Sequence, residues 1–444
     1  MFARPLAALT LALTLGAAPH RDALPKLGPD VSIGRLAEGG TYIVRPIAGP
    51  PLAAVELWFR APSIGYDATP VPSLARLAAQ SVAASTPVSG SPLGTLVHDA
   101  GGRLTISAYA DSISVQALVP SQRAAEVTAA MTRAYFSPVV DQAGLDSART
   151  ELTEEALFSS FDPVQVARSV LFADLFAAGP DHYPALGEAK QLAKIELTTV
   201  RDYAARAFRA QNAVLVASGG VDAAIVDSAV AGRADPAGRA DDPVASAVAL
   251  APAAINHNFD QRGGGSAWIG PPITDERSAT ALDFIADYLF RQGTGQVTAA
   301  VDKADSNAVV DGQFITLHDP GVFFVAYSAK DAVGVGKRID EAIRTMQTPL
   351  ASADFARART DFEYHLLSDL QTAGEVADNF GWYAVEGNLP YAPGADGLKG
   401  AYFNAAQSLT PEFVAAVAAK YLGAAPARIT FIPPAAKPAK AAKS

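Results

Sequence analysis

The segment at residues 197–219, LTTVRDYAARAFRAQNAVLVASG, returns in outline at residues 409–433, LTPEFVAAVAAKYLGAAPARITFIP. Each copy opens on Leu-Thr, continues as a helix that ends in an aromatic residue, and passes through a short loop into a closing apolar strand. A threonine hydroxyl can accept from the free amides of a first helical turn, so Thr198 and Thr410 are the expected caps. Pro411 falls where a missing N–H does no harm. A chain that repeats its closing unit in this way reads as two copies of one α/β half.

The remaining patterning agrees. With 444 residues, half of them hydrophobic, the chain is too long for one core of usual size and comfortable for two. Leu52–Arg60 (LAAVELWFR) alternates, with Val55, Leu57 and Phe59 on one side and Glu56, Trp58 and Arg60 on the other, which predicts a half-buried strand. Residues 73–85 read as a helix entered from Pro72, residues 103–119 as two strands, and residues 121–136, 141–158 and 162–176 as three helices. Residues 232–243 (GRADPAGRADDP) have no periodicity and read as a linker. After it the order restarts: a strand at 266–270 led by a Gly263-Gly264-Gly265 turn, a helix, a strand pair, and three helices. The expected organisation is an N-terminal domain at 30–231, a linker at 232–250, a C-terminal domain at 251–432 and a low-complexity, disordered tail at 433–444.

The formal net charge of -10 argues against a nucleic-acid partner, which needs a basic face to displace counterions from phosphate. Cysteine is absent, which removes disulfides, thiolate metal sites and cysteine nucleophiles together. The N-terminus carries Arg4, then an apolar run over residues 6–15, then Gly16-Ala17-Ala18 before polar residues. That is the layout of a secretory signal peptide over residues 1–18. No other segment is apolar enough to cross a membrane. The expectation is an exported chain, in the periplasm, with no transmembrane segment once processed.

Several landmarks occur in a recognisable order. A strand like LAAVELWFR precedes a helix beginning Ser73-Leu74-Ala75. Gly101-Gly102 leads into the strand at 103–108, and an acidic helix carries Glu151–Leu157 (ELTEEAL). Asp162-Pro163, the segment Asp181-His182-Tyr183-Pro184 and RDYAARAFRAQNAVLVASGGVD follow. In this order the chain resembles the insulinase or mitochondrial-processing-peptidase type of zinc metallopeptidase. The resemblance implies an α+β fold of two homologous halves. Each would be a mainly antiparallel sheet with helices on one face, the two arranged as a clamshell.

In that family the helix beginning "GLA" bears His-x-x-Glu-His, whose two imidazoles share one zinc while the glutamate activates its water. Laid over this chain, the motif falls on Arg76, Ala79 and Gln80. Arginine has no lone pair to give, alanine moves no proton, and glutamine offers a weak neutral oxygen. The acidic helix keeps Glu154 and Glu155, of which Glu155 better matches the family's downstream ligand. Either the glutamates form a solvated face, or Arg76 takes the metal's place and pairs with Glu155, since a buried carboxylate without its cation needs another. The six histidines, His20, His98, His182, His257, His318 and His365, include no two within five residues, so none forms a helical metal clamp. The resemblance also implies an Arg and a Tyr seven residues apart in the second half. The matching stretch, residues 295–312, has neither, with Asp302 and Val309 nearest by spacing.

These readings imply a non-catalytic homologue with no cofactor of its own. It would pair with a zinc-bearing homologous subunit to form a peptide-degrading chamber and would bind peptide along Leu104, Thr105, Ile106 and Ser107. An active metalloendopeptidase with non-standard ligands and a stand-alone peptide-binding or scaffold protein are the alternatives. Gly263–Ser266 lacks the trailing glycine of a nucleophile elbow, and Gly293-Thr294-Gly295 lacks the lysine of a phosphate loop. The aromatic run Phe380–Tyr383 is expected to pack against a sheet.

Overall fold

The computed structural model describes residues 31–37, 39–87, 90–183, 186–187, 189–230, 241, 244–249, 251–318, 320–386 and 401–434. The expected signal segment, residues 232–240 of the expected linker and residues 435–444 of the expected tail lie outside the described residues.

The first half runs β1 (Ser32–Arg35), β2 (Thr41–Pro46), β3 (Leu52–Arg60), α1 (Leu74–Ala84), α2 (Leu93–Asp99), β4 (Arg103–Ala108), β5 (Ser112–Pro120), α3 (Ala124–Phe136), α4 (Gln142–Ser159), α5 (Pro163–Leu175), β6 (Phe176–Ala178), α6 (Ala189–Leu192), α7 (Leu197–Ala207) and β7 (Ala213–Gly219). The second runs β8 (Ala247–Val248), β9 (Ala254–Asn258), β10 (Gly263–Ile269), α8 (Glu276–Phe290), α9 (Gln296–Ala304), β11 (Val309–Ile315), β12 (Val322–Ser328), α10 (Ala332–Thr345), α11 (Ser352–Ser368), α12 (Ala373–Glu386), α13 (Ala401–Gln407), α14 (Pro411–Leu422) and β13 (Ala427–Ile432).

The two sheets have the same plan. One is ordered β1-β2-β7-β3-β5-β4 and the other, read from its opposite end, β9-β13-β10-β12-β11. All neighbours are antiparallel except β2 with β7 and β9 with β13, the corresponding pair in each half. The α+β, two-half architecture expected from the repeated closing unit is therefore present. The second copy of that unit is capped as expected, Thr410 accepting from Phe413 N. The first is not: α7 begins at Leu197 behind Glu196, which makes no side-chain cap, and Thr198 already lies inside the helix. Within the expected linker, Ala247–Val248 pair with β6 as a short strand.

The halves exchange one helix each. On its own face the first sheet carries α1 and α3, but its other face is covered by α12 from the second half. The second sheet is covered reciprocally by α5 of the first half, which packs on β10, β12 and β13. This changes the reading of Leu52–Arg60. Val55, Leu57 and Phe59 enter the core under α1 and α3, while Glu56 and Trp58, expected at the solvent side, are 0% exposed beneath α12. The strand is buried on both faces. Trp58 meets Trp382 of α12 edge-on at 6.0 Å and Tyr109 in a stack at 5.5 Å. Burying such a ring is worth about 1.5–3 kcal/mol.

Close approach at each exchange depends on a glycine. A Cβ on Gly381 of α12 would stand 1.9 Å from Trp58 Nε1. One on Gly265 would meet Leu171 Cδ1 of α5 at 3.1 Å and Val325 O at 2.7 Å. Gly263-Gly264-Gly265 is therefore not a turn leading a strand but the first stretch of β10 itself, buried between β12 and β13.

Candidate functional site

The helix α1 begins at a residue with an unusual backbone. Ser73 has φ 71, in the left-handed region that glycine enters freely and other residues seldom do. Its Oγ accepts the amide N–H of Gly187. That bond is a side-chain tie which a glycine at this bend could not make.

One turn further on, Arg76 Nη2 donates to Glu155 Oε2 at 3.0 Å, with side chains 17% and 30% exposed. Gln80, a turn later on the same face, donates from Nε2 to Glu151 Oε2 at 2.6 Å. Of the two readings of the acidic helix, the structure has the paired one. α1 and α4 lie side by side, and the positions at i and i+4 on α1 each meet a glutamate on α4, also i and i+4. Glu154 is exposed on the neighbouring face. Ala79 is fully buried and its carbonyl accepts from Tyr135 Oη at 2.8 Å.

These residues do not fit a zinc ion. Arg76 brings a permanent charge to the place a lone pair would be needed, and it already engages the one carboxylate well placed as a ligand. Ala79 has no group to activate water. Among the described residues, no three of His, Cys, Asp and Glu are grouped as a metal would require.

Leu104–Ser107 belong to β4, the terminal strand of the first sheet, which pairs with β5 on one side only. α1, which carries Arg76, packs against β4. Asp302 lies exposed on α9, and Val309 opens β11, which corresponds to β4 in the second sheet and is likewise terminal.

A second polar cluster was not legible in the sequence. Where α12 crosses the first sheet, Glu56 of β3 faces Asp378, and Gln116 Nε2 bridges Glu56 Oε2 at 3.0 Å to the carbonyl of Gly374 at 3.1 Å. Burial pushes the Glu56 carboxyl well above the usual range, and the charge of Asp378 adds to this. Burial likewise raises Asp378 to about 7. At the far end of α12 the carboxyls of Asp111 and Glu386 hydrogen-bond each other, and burial with the neighbouring Asp111 charge raises Glu386 strongly. Glu386 also accepts from Ser112 Oγ at 3.0 Å and from His318 N at 3.3 Å. Asp111, Asp181 and His318 line a small cleft there with Val244, Ala245 and Leu317, and burial lifts Asp181 to about 6. An isolated glutamate in an alternating strand signals solvent, so only the helix exchange reveals these groups.

No family model matches the sequence, and no curated protein matches it. Solved structures do. A protease from Helicobacter pylori superposes with a TM-score of 0.78 at 14% identity, over 91% of this chain and 100% of that one. A peptidase M16 inactive domain from Pseudomonas fluorescens gives 0.73 at 18% identity, over 92% and 99%. The fold is that of the M16 peptidases. A candidate M16-like peptidase from Alicyclobacillus acidocaldarius gives 0.74 at 15% identity, over 93% and 100%. The M16 fold thus spans both halves, in agreement with the insulinase-type resemblance of the sequence. No described helix is long and apolar enough to cross a membrane.

Proposed function

We propose that this chain is a non-catalytic, exported homologue of the M16 zinc peptidases that pairs with a zinc-bearing homologue to form a peptide-degrading chamber. The observation that carries the reading is the Arg76–Glu155 pair: the retained carboxylate is bound to a guanidinium instead of completing a zinc site. The likeness to the inactive domain from Pseudomonas fluorescens supports it. So does the second half, where residues 295–312 hold neither the Arg nor the Tyr that the family resemblance implies. Zinc is then expected only in the partner, and the signal-like residues 1–18 support a periplasmic location.

The chain's share of the work would be recognition. The outer edge of β4 at Leu104–Ser107 offers main-chain donors and acceptors to an extended peptide, which would add to the sheet as a further strand. The partner would perform hydrolysis.

Co-expression of the full chain with a homologue carrying intact His-x-x-Glu-His tests this. Peptide cleavage by the pair is expected to exceed that of either chain alone by at least tenfold, with the two chains co-eluting. Stoichiometric zinc and chelator-sensitive cleavage by this chain alone would overturn the reading. So would a chain that neither co-elutes with the homologue nor alters its activity.

A further inference from the structure

We propose that the seam between α12 and the first sheet is a proton-held latch, whose carboxyls keep the two halves together while protonated and release α12 when they ionise. It concerns how the halves part and holds whether or not a peptide binds.

The argument starts from spacing. Asp378, Trp382 and Glu386 follow at intervals of four and share one face of α12. Trp382 is the apolar anchor of that face, against Trp58. At one end Glu386 hydrogen-bonds Asp111 of the first half, and at the other the charge of Asp378 acts on the buried Glu56 of β3. A helix that buries its carboxyls beside carboxyls of the other half is held only while protons neutralise them, since like charges in a dry seam cannot all ionise.

The surrounding charges do not remove this need. From β3 come Glu56 and Arg60, and from the β4–β5 turn Tyr109 and Asp111. From α5 comes Arg168, from the turn after β6 Asp181, from β11 Asp311, and from the β11–β12 turn His318. With Asp378 and Glu386 these make six carboxyls beside Arg60, Arg168 and His318, and β2 brings Arg45 to the same sheet face. β5 contributes only neutral groups, Ser112 and Gln116. Arg60 Nη2 also spends a donor on the carbonyl of Ala384.

The sign follows from the direction of the shifts. Glu56, Asp111, Asp378 and Glu386 each hold a proton more tightly in the folded seam than in an unfolded chain, where they would titrate near 4. The stabilisation is complete below that pH and is lost as pH rises through the folded values, about 7 for Asp378. The latch is therefore closed in mild acid and opens toward alkaline pH. What it releases is α12 from the first sheet, uncovering Trp58.

Hydrogen exchange on the full chain, corrected for the intrinsic pH dependence of amide exchange, tests the latch. Protection of residues 373–386 is expected to fall at least tenfold between pH 6 and pH 8.5, while protection of α8 stays within twofold. In the double variant Asp378→Asn, Glu386→Gln, which keeps the side-chain shape and removes the charge, residues 373–386 should stay within twofold across the same range. If that variant fails to fold, Glu386→Gln alone should halve the logarithmic fall. Unchanged protection of α12 in the wild type, or an equal loss in α8 and α12, overturns the proposal.

Discussion

Arg76 Nη2 lies 3.0 Å from Glu155 Oε2, which ties the first turn of α1 to α4 through a guanidinium and a carboxylate. A second tie, Gln80 to Glu151, runs parallel one turn away. Together the two side chains of α1 fasten it to α4.

The fastening should be measurable but modest, because both side chains reach solvent. Arg76→Met and Glu155→Gln in a double-mutant cycle are expected to show a coupling of about 0.5–1 kcal/mol in urea melts. Raising the salt to 1 M should reduce it.

The preserved geometry makes a stronger test possible. Arg76→His with Gln80→His would place two imidazoles four residues apart on one helical face, opposite Glu155. We expect this variant to bind one zinc or cobalt ion per chain and to gain thermal stability with added metal. Adding Glu155→Gln should weaken that binding by tenfold or more. Peptide cleavage should remain absent, since Ala79 supplies no base.

At Ser73 two effects oppose each other. Ser73→Gly relieves a left-handed residue, worth about 1–2 kcal/mol, but loses the Gly187 bond. Ser73→Ala loses the bond and keeps the strain, leaving a buried amide unpaired at a cost of about 1–3 kcal/mol. Chemical denaturation should rank wild type and the glycine variant close together and the alanine variant clearly below them.

Gly381→Ala tests the helix exchange directly. Its Cβ would stand 1.9 Å from Trp58 Nε1, so α12 must lift away, at a cost of about 1–3 kcal/mol or more. Gly49→Ala, with nothing within 4 Å, is the matched control and should be neutral. Equal melting temperatures for the two would contradict the packing described.

Much of the fold could be read from the sequence because local patterns report local burial. The three helices from residue 121 to 176, the hairpin of β4 and β5, and the closing helix-strand units follow from periodicity and turn residues. What crossed between the halves could not be read. Glu56 and Trp58 alternate with core residues and so indicate a wet face, yet α12, arriving far later in the chain, covers them. Gly263-Gly264-Gly265 carries the signature of a turn, and only the closeness of its neighbouring strands makes it a strand. Arg76, Gln80 and Glu155 were singled out by the family resemblance, but the pairing of Gln80 with Glu151 required α1 and α4 to be seen together.

The traded helices also set when the molecule can fold. A nascent chain that has delivered every strand of the first sheet still lacks the helix beginning at Ala373, so Ala54, Trp58 and Val216 wait in water for a segment not yet synthesised. Until the second half arrives the first is a client for chaperones, not a smaller finished protein.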